Sequence, residues 1–124
     1  MKYFILSNNP IVRENFEQVY FVKVSVKELL IKVRNLVHKG HELITHPLPA
    51  SMKIMSSPFR SIVLSKDKQQ RVDAFQVEVI EESIFKLRYH IQQQSIDNDN
   101  DDDYQMLDYR LLRSALESSN KIAL

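Results

Sequence analysis

Apolar residues in this chain recur at two spacings, and the switches between them divide it into elements. Lys2 to Ser7 is an apolar run with aromatic and β-branched members, closed by Asn8-Asn9-Pro10, the pattern of a buried strand. Pro10 suits the first turn of a helix, with Asn8 or Asn9 as its cap, so Ile11 to Phe16 reads as a short helix. Val19 to Val24 returns to strand character. Ser25 with Glu28 makes a capping box, after which Val26, Leu29, Leu30, Val33, Leu36 and Val37 keep helical spacing. Gly40 closes that helix as a left-handed cap.

Glu42 to Thr45 is expected as a third strand, ended by His46-Pro47, and Ser61 to Ser65 as a fourth. Between them, residues 47–59 form a loop with three prolines, three serines and two methionines. Loops of this length in a compact domain are often functional. Asp73 caps a long helix to about Gln93, with Val77, Ile80, Ile84, Leu87 and Ile91 on one face. An acidic run from Asp97 to Asp103 precedes a last helix, Tyr104 to Ser119, whose expected buried side is Leu107, Leu111, Leu112 and Ala115. This order predicts an α/β fold. The expected sheet is small, open, mostly parallel and four-stranded, flanked by helices, Rossmann-like, with a C-terminal helical extension. The third and fourth strands lack a helical crossover, so they pair antiparallel or sit apart. The expected organisation is an α/β domain over 1–95, an acidic linker over 96–103 and a C-terminal helix over 104–124. That helix would pack on its own domain or on a second protomer, the latter giving a homodimer by exchange.

Composition narrows the classes. With 124 residues the chain is expected to be one domain with a real core. No apolar run is long enough to span a bilayer, and Ser7 to Pro10 stop the first one too early for a secretory signal. There is no cysteine, so disulfides, thiolate metal sites and cysteine nucleophiles are absent, which fits a cytoplasmic protein. Residues 1–95 carry 14 Lys and Arg against 9 Asp and Glu, and residues 96–124 carry 3 against 7. The basic excess of the body is too small to argue for nucleic acid.

Chemistry-bearing residues concentrate between His38 and Arg60. Three of the four histidines, the only glycine and two of the four prolines fall between His38 and Pro49. His38, His41 and His46 invite a metal reading, but Gly40 breaks the helix between the first two, and their ordinary role is at a helix C-terminus. No metal or other cofactor is expected. His46 is the single candidate acid or base, because it ends a strand and precedes Pro47 in extended backbone. No serine or aspartate is identifiable as its partner, and ordering the loop is its ordinary role. His46, Ser51, Lys53 and Arg60 can form a pocket for a carboxylate or phosphate. Asn8 and Asn9, where the first strand meets a helix N-terminus, would add backbone N–H donors. The ordinary alternative is turn chemistry for Asn-Asn-Pro and solvated charge for the rest. No glycine-rich phosphate loop or dinucleotide fingerprint is present. Asp97, Asp99 and Asp101 have the opening spacing of a calcium loop with Asp108 at its twelfth position, but Asp102 stands where glycine is needed. A linker or cap is the plainer reading.

The strand with Asn-Asn-Pro, the run KVRNLVHKGHELITHPL and the segment SPFRSIVLSK together resemble the GrdX family over residues 1–95. These are small proteins found with the glycine, sarcosine and betaine reductase systems of anaerobic bacteria. Within the loop, Ser51, Lys53 and Pro58 match the family pattern. Ala50 stands where that pattern has glycine, and Ile54 to Ser57 replace Pro-Asn-Glu-Thr. The resemblance implies an accessory role beside amino-acid reduction, with reductase-system proteins as partners, and no activity. Three readings follow: a non-enzymatic accessory protein that binds a small anion; a small enzyme on a carboxylate or phosphate with His46 as acid or base; a scaffold acting through the C-terminal helix.

Overall fold

A computed structural model describes residues 2–122. The last two positions of the expected C-terminal segment therefore lie outside the described residues. Strand β1 (Tyr3–Ser7) leads into α1 (Pro10–Asn15), β2 (Val19–Phe21) and α2 (Val26–His38). A single 3-10 turn (Ile54–Ser56) interrupts the long loop before β3 (Ser61–Ser65). Helices α3 (Ala74–Gln93) and α4 (Asp101–Ile122) complete the chain.

The fold is α/β, but the four-stranded, mostly parallel, Rossmann-like sheet is not formed. The sheet has three strands in the order β2-β1-β3 and is mixed. β1 runs parallel to β2, with Ser7 beside Phe21, and antiparallel to β3, with Ser7 beside Ser61. The missing strand is Glu42 to Thr45. It lies against β3 but makes one isolated bridge, Leu43 to Leu64. The amides of Ile44 and Thr45 both donate to the Val63 carbonyl, at 2.9 and 3.3 Å, while the Thr45 hydroxyl takes the Val63 N–H at 3.0 Å. A side chain thus replaces the backbone in the ladder, and the Leu43 N–H turns to the Gln76 side chain. With Pro47 two residues on, no further ladder step follows.

Alternation along β1 and β3 divides the core between two faces. Leu6, Ile62 and Leu64 join Leu29, Leu30 and Val33 of α2 and Ile80, Ile84 and Leu87 of α3. Ile5 and Val63 join Val12 of α1 and Leu112 and Leu116 of α4. The sheet is therefore covered on both sides, by α2 and α3 on one and by α1 and α4 on the other. Helix α4 packs on its own chain, and burying Leu112 and Leu116 contributes on the order of 2 kcal/mol each. Leu111, expected on the buried side, is exposed.

Most local signals act as read. Ser25 Oγ accepts the Glu28 N–H at 3.2 Å, and Asp73 accepts from Phe75. Gly40 has φ +107°, its N–H reaches the Val37 carbonyl, and the His41 N–H reaches Leu36. That pair of bonds is a Schellman closure. The last helix begins earlier than expected, because Asp101, Asp102 and Asp103 form its first turn. Three carboxylates suit the positive end of the helix dipole. Asp97 organises the approach: it accepts from the Asp99 N–H, the Asn100 amide and the Tyr104 hydroxyl. Those bonds, the Asp99 N–H first, hold its carboxyl below the ordinary range.

Candidate functional site

The end of β1 and the start of β3 meet at one sheet edge. Asn8 and Asn9 belong to the first and Arg60 and Ser61 to the second. Asn8 is buried and spends its whole amide on backbone. Its Nδ2 donates to the carbonyls of Val24 and Pro58, both at 2.9 Å, and its Oδ1 accepts the Arg60 N–H at 2.9 Å. Asn9 is fully buried. Its Oδ1 caps α1 through the Ile11 N–H, while its Nδ2 donates to the Gln105 carbonyl at 2.8 Å and to Asp108 Oδ2 at 2.9 Å. The anion-binding amides expected at this helix start are thus engaged: Asn8 N–H donates to the Arg60 carbonyl, and Asn9 N–H to Ser7 Oγ.

A chain of hydroxyls ends on Asp108. Because the single Ser61 proton is committed to Asp108, the Ser7 hydroxyl is the donor to Ser61 Oγ, 2.8 Å away, while Ser7 Oγ accepts from the Asn9 N–H. The Ser61 hydroxyl in turn donates to Asp108 Oδ2 at 2.7 Å. Asp108 comes from α4, far along the chain, and fastens that helix across the sheet edge.

Arg60 is 6% exposed. Its Nη1 donates to the Pro47 carbonyl at 3.2 Å and its Nε reaches the Phe59 carbonyl at 3.5 Å. Its Nη2 is buried and has no hydrogen-bond partner among the described residues. Buried donors are almost always paired, so an orphaned guanidinium nitrogen marks a place where an acceptor belongs. Burial lowers the Arg60 pKa to about 10, against the pull of the Asp108 charge, which leaves it cationic at neutral pH. Desolvation raises the Asp108 carboxyl above its ordinary value, opposed by Asn9, by Ser61 and by the Arg60 charge.

Both residues line one cleft of about 320 Å³ between the 46–59 loop and α4. His46, Ser51 and Tyr104 add polar edges, and Leu48, Ile54, Leu111 and Leu112 add apolar walls. The volume is at the small end for ligand pockets. His46 is exposed and its Nδ1 accepts the Leu48 N–H at 3.0 Å, which places the proton of the neutral ring on Nε2. Ser51 is exposed at the rim and its Oγ accepts the Lys53 N–H at 3.2 Å. Lys53 is exposed and lines none of the hollows described here. The structure therefore brings His46, Ser51 and Arg60 to one cleft, puts Asn9 beneath it through Asp108, and leaves Asn8 as a clamp and Lys53 outside.

Among the described residues at least four other hollows are larger, two of them also lined by residues of the 46–59 loop. A groove of about 720 Å³ runs past Arg13, Phe21, Lys23 and Lys27, and one of about 520 Å³ lies among Met52, Met55, Phe85 and Tyr89. Neither is lined by Arg60, the residue with the orphaned nitrogen. The histidines go to separate partners. His38 Nε2 lies 3.4 Å from Glu81, and His41 Nδ1 lies 2.8 Å from the Ser65 carbonyl. Among the described residues no three His, Cys, Asp or Glu side chains gather as metal ligands. His90, from α3, is buried and pairs with Ser56 Oγ at 2.9 Å, fixing the far end of the loop.

Asp108 is the site residue that sequence reading missed: its calcium-loop spacing was set aside for a linker or cap, and it anchors α4 instead. The signal was present: Asp108 is a charge three, four and seven residues before Leu111, Leu112 and Ala115, inside an apolar stripe. Its raised pKa has a consequence. The folded state holds the Asp108 proton more tightly than the unfolded one. The group's contribution is therefore fully present below the unfolded value, roughly 4, and is lost as pH rises through the folded value. Melting of the wild type and Asp108→Asn across pH 4 to 8 is expected to show the wild type losing ground to the variant as pH rises. A constant difference would refute the assignment.

The fold and cleft define a small α/β protein with a buried arginine at a ligand-sized cleft. The chain belongs to the GrdX-like protein family, whose model matches residues 4–117. The match runs past residue 95, where the visible resemblance ended, and takes in most of α4 with Asp108. No curated protein and no solved structure matches the chain.

Proposed function

We propose that this protein is a non-enzymatic accessory protein that binds a small anion, in the setting of amino-acid reduction systems and in the cytoplasm. The observation that carries the binding is the Arg60 side chain, buried at the cleft with Nη2 unpartnered. A carboxylate is the natural acceptor, since a guanidinium offers paired donors in a plane. The setting rests on family membership. The enzymatic reading gains little support from His46, whose Nδ1 is given to the Leu48 N–H rather than to an orienting carboxylate. The scaffold reading gains little from α4, whose Leu112 and Leu116 pack within their own chain.

Thermal shift and calorimetry with acetate, propionate, alanine and inorganic phosphate test the proposal. A ligand at a hundred times its Kd is expected to stabilise by about 2.7 kcal/mol, and Arg60→Met to abolish the shift while retaining a native circular-dichroism spectrum. Because Arg60 also holds the Pro47 carbonyl, Arg60→Lys serves as the second variant, keeping the charge and weakening binding by about tenfold or more. Wild-type protein that responds to none of these probes at millimolar concentrations overturns the proposal.

A further inference from the structure

We infer that the ligand class of this cleft is a small zwitterion, carrying a carboxylate for Arg60 and an ammonium for Asp108 on neighbouring atoms, as an α-amino acid does. The inference rests on the anion-binding reading above and narrows it. Two charged residues of opposite sign, Arg60 and Asp108, line the same cavity. They attract one another, yet neither satisfies the other. Among the described residues Arg60 Nη2 has no partner, and Asp108 Oδ2 is bonded by two neutral donors, the Ser61 hydroxyl and the Asn9 amide. The Ser61 backbone N–H is a further neutral donor to this carboxylate, and no cationic side chain among the described residues bonds it.

The pairing decides between ligand classes. A simple carboxylate at Arg60 would bring its charge beside Asp108 with nothing to offset the repulsion, and a phosphate dianion would suffer more. A bare amine would meet Asp108 but leave the guanidinium uncompensated. A zwitterion offers each residue its opposite and adds no net charge to a poorly hydrated cleft. The cavity of about 320 Å³ limits the ligand to few atoms. Leu48, Ile54, Leu111 and Leu112 leave an apolar wall for a short aliphatic side chain. The Lys53 ammonium, which would favour a second acidic group, stands outside.

The test uses the full chain and pairs of ligands matched in shape. Calorimetry compares alanine with propionate and ethylamine, and valine with isobutyrate and isobutylamine, with inorganic phosphate as a further arm. Each zwitterion is expected to bind about tenfold or more tightly than its carboxylate or amine partner. In Asp108→Asn that preference is expected to shrink to about twofold, because alanine loses its ammonium partner and propionate binds more tightly once the opposing carboxylate is gone. Equal binding of alanine and propionate, or phosphate binding tightest, overturns the zwitterion while leaving the anion-binding reading standing. Silence from every ligand overturns both. An unchanged preference in a folded Asp108→Asn protein overturns the role given to Asp108. The wild-type comparison alone decides the ligand class if the variant does not fold.

Discussion

Asn8→Ala is expected to destabilise the protein by about 3–4 kcal/mol, read as a fall in the urea midpoint at unchanged slope. The side chain is small, so lost apolar packing is a minor part of this. The cost comes from three backbone groups that lose their partner together: the Val24 and Pro58 carbonyls and the Arg60 N–H. Each unsatisfied buried group costs about 1–3 kcal/mol, and water reaching part of the space offsets some of the sum. The same amide ties the end of β1 to the residue before the Ser25 cap of α2 and to the approach to β3, so its loss also loosens the placement of Arg60. Asn8→Asp is a useful companion. It keeps the volume and the acceptor for Arg60 but removes both amide donors, and it is expected to be no milder than alanine. A change below about 1 kcal/mol for either variant would mean that Asn8 does not hold the sheet edge.

Gly40→Ala is expected to cost about 2–3 kcal/mol, measured in the same way. At φ +107° an L-residue is strained whatever the room available, and there is none. A Cβ at Gly40 would stand 2.5 Å from the backbone oxygen of Gln69, which cannot swing aside as a side chain would. Gln69 is held there because its own N–H donates to the Gly40 carbonyl at 2.9 Å. Relief would require the 66–71 connection to move away and release that bond. An alanine at this position with wild-type stability would show that the Schellman closure is not what ends α2.

The legible parts of this molecule are those set by neighbours in sequence. Ser25, Asp73 and Gly40 were readable as caps because each acts on amides or carbonyls within five residues. The heptad-like stripes of α2 and α3 gave their buried faces for the same reason. Asn8 or Asn9 was readable as the cap of α1, which proves to be Asn9, and Arg60 as a cation near an anion site. Neither its burial nor its orphaned nitrogen could be foreseen, because both depend on the loop folding back over the sheet edge. Lys53 shows the converse. It is a cation in the middle of the same loop, yet it faces water, since the 3-10 turn beside it buries Met55 instead. Glu42 to Thr45 has the composition of a strand, and only its pairing with β3 reveals that a threonine hydroxyl takes over a ladder position.

By itself, the chain determined the caps of α2 and α3, the buried faces of those helices, the α/β class, and the crowding of polar residues before Arg60. Tertiary structure alone decided that β3 runs antiparallel to β1, that the sheet stops at three strands, and that Asp108 reaches Asn9 and Ser61. The physical reason is range. Caps and periodicities act over one or two turns, whereas the bonds that build the cleft join residues 47 and 99 positions apart, and nothing local specifies which distant partner a buried carboxylate will find.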